Sequence, residues 1–140
     1  MDNEFRIFIS ETFQATPDEL FSLIAGGKLF ELTGADRVEY IFKKNSSFIF
    51  TFNNRGVISG KITDINPPEK IELDWNVIGF GRAEELHTLV TISIHISGDN
   101  TILEINHSGI TTLDSFHAKH KAWLEIVQAL KVLITSNDSD

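Results

Sequence analysis

Five histidines and no cysteine occur in the 140-residue chain, and the histidines hold most of its chemical possibilities. His107 shares a strand face with Leu103 and Ile105. His120 shares a helical stripe with Phe116, Trp123 and Val127. Both are expected to point into the space between a sheet and a helix. Two imidazoles in an apolar interior can hold a ligand oxygen, exchange protons as acid and base, or share a metal. The commoner arrangement is a core histidine whose ring is satisfied by a backbone or hydroxyl partner. A metal site is disfavoured. Only His117 adds an imidazole, its spacing to His120 is i, i+3, and no carboxylate lies between them. No metal or cofactor is therefore expected.

Other groups compete less strongly. Trp75 and Trp123 could stack on a flat ligand, although large aromatic rings usually fill cores. The row Phe48, Phe50, Phe52 serves equally as cavity wall or as solid core. Arg82 and Glu84-Glu85 lie near strand ends, where they either guard a cavity mouth or form a solvated face. Ser108 and Ser115 sit near histidines, but no Gly-x-Ser-x-Gly elbow is present. Gly79-Phe80-Gly81 lacks the Lys-Ser/Thr and helix of a phosphate loop. A binding role is favoured over an enzymatic one.

Composition narrows the partners. Twenty acidic against 12 basic residues give a net charge of -8. Phosphate backbones attract cationic surfaces, so nucleic acid is not expected as a partner. No basic amphipathic stretch and no run of eighteen apolar residues is found, so no membrane insertion is expected. The absence of cysteine removes disulfides and thiolate ligands. The acidic start Met1-Asp2-Asn3-Glu4 does not resemble a secretory signal, and a cytoplasmic location is the simplest expectation. The 11 phenylalanines, against one tyrosine and one methionine, point to a Phe-rich core or a Phe-lined cavity.

The elements that position these groups follow from periodicity. Phe5, Ile7 and Ile9 alternate with Arg6, Phe8 and Ser10, which predicts a strand to about Phe13. Thr16-Pro17-Asp18-Glu19 is a cap, a first-turn proline and a capping-box glutamate. It opens a helix that Gly26-Gly27 ends. A second short helix is predicted over 28–32. Strands follow in succession: Val38, Tyr40 and Phe42 on one face; Phe48, Phe50 and Phe52; Ile58, Gly60 and Ile62; Ile71, Leu73, Trp75 and Val77. Next comes a long strand with Leu86, Val90, Ile92, Ile94 and Ile96 on one face, and then Leu103, Ile105 and His107. Gly56 and Gly60 are expected points of curvature.

A helix is predicted over 113–134, with Phe116, His120, Trp123, Val127, Leu130 and Ile134 on its buried stripe. The polar run 136–140 is expected to fray. The chain thus reads as a single α+β domain, residues 1–140. A curved seven-stranded antiparallel sheet wraps the long C-terminal helix, with two short helices between strands one and two. Only that last helix, about 30 Å long, can cover the sheet's apolar face.

Several stretches carry a family resemblance. Gly60-Lys61-Ile62-Thr63-Asp64-Ile65-Asn66-Pro67-Pro68-Glu69-Lys70-Ile71, ending in Trp75, resembles a glycine, Pro-Pro and tryptophan pattern. That pattern marks domains related to the C-terminal part of the activator of the ninety-kilodalton heat-shock protein ATPase. Thr88 to Ile92 and Asn100 to Gly109 are similar to that family's last two strands. Lys121 to Leu130 is similar to its helix, with Ala122 where a glycine is usual. The resemblance implies the helix-grip superfamily, shared with lipid-transfer and birch-pollen-allergen-like proteins. It implies either a cavity for a small hydrophobic or amphipathic molecule or a chaperone partner; a cyclase- or hydrolase-like enzyme is a further alternative. The expected ligand-binding residues are Phe42, Phe50, Ile58, Trp75, Ile92, His107, Phe116, His120 and Trp123, with Phe5 and Ile7 nearby.

Overall fold

The structure, a computed structural model, describes residues 4–137. The acidic start at 1–3 and the last three residues of the polar end lie outside the described residues. Ten elements follow one another: β1 (Phe5–Phe13), α1 (Pro17–Ala25), α2 (Lys28–Glu31), β2 (Arg37–Tyr40), β3 (Ser47–Phe52), β4 (Gly56–Asn66), β5 (Lys70–Gly79), β6 (Arg82–Ser97), β7 (Asn100–Ile110) and α3 (Leu113–Asn137). The strands form one antiparallel sheet in the order β1-β7-β6-β5-β4-β3-β2. It is an α+β helix-grip fold, with the curved sheet closed over α3.

Local chemistry explains the element boundaries. The Thr16 hydroxyl accepts a 3.1 Å hydrogen bond from the Glu19 amide and satisfies one orphan N–H of α1. Pro17 occupies the first turn, where no amide donor is needed. Thr112 performs the same capping for α3, accepting from the Ser115 amide at 3.1 Å. The β5–β6 hairpin turns on Phe80 and Gly81, both at positive φ (62° and 72°). Two such residues match the right-handed twist of the flanking strands. The predicted loop is therefore a two-residue turn.

Three departures from the alternating pattern have one physical origin each. In β5 and β6, Trp75 pairs with Thr88 and Val77 with Glu85. Asn76 thus faces two residues, Leu86 and His87, which is a β-bulge. His87 takes φ 59° there. Its amide, released from the ladder, donates to Asn76 Oδ1 at 2.7 Å. The extra residue exchanges inside for outside. Leu86, expected on the inner face, is 48% exposed, and Glu85 turns inward instead. Ile96 is also exposed, because it lies beside the Gly98 turn, beyond the covered part of the sheet. In β2, the strand ends at Tyr40, so Phe42 lies past it and packs edge-on against Phe21 at 5.8 Å.

The core forms where α3 lies against the sheet. Trp123, Ile126, Val127, Leu130 and Ile134 of α3 are all buried. At about 1.5–3 kcal/mol per buried side chain, they contribute on the order of 10 kcal/mol before the entropy of ordering is counted. The opposite face, with Lys121, Glu125 and Gln128, is exposed. Gln128 and Lys131 nevertheless reach Glu11 of β1, at 3.0 and 2.7 Å. An aromatic cluster adjoins this core at Trp75, which lies 5.6 Å from Phe48 and 5.9 Å from Phe50. Phe30 of α2 stands 5.1 Å from Phe50 and 6.2 Å from Phe48. Gly60 lets β4 and β5 approach closely, since a Cβ there would collide with the Asp74 carbonyl oxygen.

Candidate functional site

His107 projects from β7 into the core and is 0% exposed. Trp123 Nε1 of α3 donates to its Nδ1 at 3.1 Å. An indole N–H can only donate, so Nδ1 must be the bare, accepting nitrogen. The ring proton of the neutral imidazole therefore lies on Nε2. That nitrogen donates to Thr88 Oγ1 at 2.8 Å, and Thr88 passes its own proton to the Trp75 carbonyl at 2.6 Å. The chain of donors runs from helix to sheet with every position filled. Desolvation pulls the His107 pKa down to about 3, helped by the positive charge of Lys119 and opposed by Glu85. His107 is neutral and fully engaged, without a spare lone pair or proton for a ligand.

The two tryptophans joined by this chain pack ring against ring, 5.3 Å apart. Beyond them lies a cavity of about 230 Å³. Its walls come from β3 to β5 (Phe52, Ile58, Trp75, Val77), from the hairpin (Phe80, Arg82) and from α3 (Ala118, Lys119, Ala122, Trp123, Ile126), with Thr33 at one end. Phe80 and Phe52 meet edge to face at 5.2 Å and form one aromatic side. The small Ala118 and Ala122, one turn apart on α3, leave the opposite side hollow.

A polar knot closes the cavity's edge. Lys119 Nζ lies 2.6 Å from Glu85 Oε1 and donates to Ser115 Oγ at 2.7 Å. Ser115 in turn donates to Glu85 at 2.7 Å, and the Thr111 amide donates to the second carboxylate oxygen at 3.2 Å. Burial pushes the Glu85 pKa up, but its bonds to Lys119 and Ser115 outweigh this and hold it below the usual carboxylate range. Ser115 gives its proton to a carboxylate and accepts from an ammonium, so it is not an activated nucleophile. Across the hairpin lies an adjoining hollow of about 290 Å³, which holds the acids Glu84, Glu85 and Asp114. A wider groove, about 850 Å³, runs past β2 to β5 and is lined in part by Tyr40 and Phe48, but it opens broadly to solvent.

Of the residues expected at a site, Ile58, Trp75 and Trp123 line the cavity. Phe50 and Ile92 are 0% exposed in solid core. Phe42 packs on Phe21 outside the cavity. Phe116 packs on Phe5 at 5.8 Å, and His120 stacks on Phe116 at 5.7 Å, on the flank of α3 toward β1. His107 stands behind the tryptophan pair and supports one wall. His107 and His120 are thus not brought together. Among the described residues no group of three potential metal ligands occurs. Sequence reasoning missed Phe80, Lys119 and the alanines. The spacing Ala118, Ala122, Ile126 was the available signal, since small residues facing a sheet leave space.

A curved antiparallel sheet gripping one long C-terminal helix defines a helix-grip domain. The chain belongs to the family described as activator of Hsp90 ATPase homolog 1-like proteins, whose model matches residues 14–135. No curated protein matches it in sequence. Among solved structures it is similar to protein MLL2253 from Mesorhizobium loti, at TM-score 0.83 and 16% identity, covering 96% of this chain and 99% of that one. The Aha1 dimer from Colwellia psychrerythraea is similar at TM-score 0.75 and 16% identity, covering 93% and 96%. CalU16 from Micromonospora echinospora is similar at TM-score 0.71 and 19% identity, covering 92% and 75%. At such identities the likeness shows the fold alone. Among the described residues no helix is long and apolar enough to cross a membrane.

Proposed function

We propose that this protein binds a small apolar or amphipathic molecule in the cavity between the β5–β6 hairpin and α3. The observation that carries this reading is the 230 Å³ space walled by Phe52, Trp75, Phe80 and Trp123. Ligand pockets are mostly apolar with few polar groups, and this one has that character. Its volume is below the roughly 300–1,000 Å³ usual for drug-sized ligands. The occupant is therefore a one- or two-ring molecule, or the apolar end of something longer.

Both tryptophans of the chain line the cavity, so intrinsic fluorescence reports occupancy directly. Titration with a panel of small apolar and amphipathic compounds is expected to give a saturable change in emission and a rise in Tm. Ala122→Phe, which fills the cavity from an exposed helical position, is expected to abolish both. A panel that moves neither signal in the wild-type protein refutes the reading.

A second reading, a chaperone-associated interaction module, draws support from the family match and from the net charge of -8, which suits a basic partner surface. Stimulation of a chaperone ATPase by the purified chain tests it, and unchanged turnover at micromolar concentrations argues against it. A cyclase- or hydrolase-like enzyme gains no support from His107, whose two ring nitrogens are both occupied.

A further inference from the structure

Acidic residues outnumber basic ones in this chain, 20 to 12. The cavity wall reverses that balance. Its two charged residues are Arg82 and Lys119, both cationic. The nearby acids Glu84, Glu85 and Asp114 line the adjoining hollow and not this cavity, although Arg82 and Lys119 border both. The two cations are not equivalent. Lys119 is committed to Glu85 and Ser115 by contacts of 2.6 and 2.7 Å. Arg82 is exposed, and among the described residues it makes no salt bridge and no side-chain hydrogen bond. It sits two residues after Phe80, so one short turn supplies both an aromatic wall and an unpaired guanidinium.

We propose that the ligand is a small aromatic anion, its ring enclosed by Phe80, Trp75 and Trp123 and its carboxylate held at the mouth by Arg82. This rests on the cavity reading above and names the ligand's chemical class. A guanidinium offers a planar fork that matches a carboxylate bidentately. The ring size follows from the small volume, and the aromatic preference from the stacking surfaces of the walls. Lys119, tied to Glu85 as a neutral pair, leaves Arg82 as the cation free to meet the carboxylate.

The test compares three ligands that share a naphthalene ring system and differ in charge: 1-naphthoate, 1-naphthalenemethanol and 1-naphthylmethylammonium. Each is titrated into the full chain by isothermal calorimetry. The anion is expected to bind about tenfold more tightly than the alcohol, the scale of one charge-assisted contact. The ammonium is expected to bind most weakly. Arg82→Gln is expected to erase the preference for the anion, and Arg82→Glu to favour the ammonium. Arg82 is exposed, so both variants should keep the wild-type Tm, which a melt verifies. Equal affinity for anion and alcohol in the wild-type protein overturns the proposal and leaves the cavity reading standing. So does a preference that persists in Arg82→Gln. Failure of all three compounds, with no binding elsewhere in the apolar panel, overturns both.

Discussion

The bond between His107 and Trp123 allows a quantitative test of how helix and sheet are joined. Replacing His107 with leucine keeps an apolar side chain of similar bulk but removes the acceptor for the Trp123 indole N–H. That group is buried, with Trp123 only 3% exposed, so it cannot turn to water. A buried donor left unpaired costs about 1–3 kcal/mol. Trp123→Phe leaves His107 Nδ1 unpaired at a similar cost, plus a loss for the smaller ring. The double variant removes both partners and leaves neither group unpaired across the pair. It should therefore be more stable than the sum of the singles by about 1–2 kcal/mol.

Urea unfolding followed by far-ultraviolet circular dichroism measures all four proteins, with m-values checked for constancy. Titration of His107 supplies a second arm. Its folded pKa is about 3 and its ordinary value 6.5. Between these values the unfolded chain holds a proton that the native state refuses. Native stability is therefore full above about pH 6.5 and falls as the pH drops toward 3, by about 1.4 kcal/mol per unit. His107→Leu should lose this slope between pH 6.5 and 5. Additivity within about 0.5 kcal/mol, together with parallel pH curves for wild type and variant, refutes the proton arrangement inferred here.

Other expectations follow from the same geometry. Thr88→Val removes the acceptor for His107 Nε2 and the donor to the Trp75 carbonyl; it should cost about 2–4 kcal/mol in urea unfolding. Gly60→Ala places a methyl against the Asp74 carbonyl, so a loss of about 3 kcal/mol is expected, measured as a fall in Tm. Lys119→Met deprives Glu85 of its cation and should destabilise by about 1.5–3 kcal/mol, while Lys119→Met with Glu85→Gln should recover part of that loss in the same assay.

The sheet and the helix were legible because their patterns are long. Alternation in β1, β3 and β7, and the helical stripe, each repeat several times; Trp123, Val127, Leu130 and Ile134 are buried as expected, while Phe116 and His120 at the start of the stripe are only half-buried. The site was legible only in part. Trp75 and Trp123 are large enough to be singled out one at a time. The cavity itself depends on small residues, Ala118 and Ala122, and on a turn that places Phe80 over it. Neither has a hydrophobic period. The Leu86–His87 bulge was invisible for a related reason. A single inserted residue leaves the composition of β6 unchanged while reversing the side chains before it. That reversal brings Glu85 to Lys119 and creates the polar knot. His107 was correctly placed inside by its strand face, but its saturation depends on Thr88 and Trp123, which lie far from it in sequence.

The position of β1 at the sheet's rim, beside β7, governs how such a chain must assemble. Phe5 meets Ile110, and Glu11 is gripped by Lys131. Strands β2 to β7 can zip together in the order in which a ribosome delivers them, each beside its immediate predecessor. Strand β1 has no docking place until β7 and α3 emerge. Closure of this long loop is slow compared with local pairing. During synthesis β1 must therefore wait, with Ile7 and Ile9 unburied, until β7 and α3 have both been made.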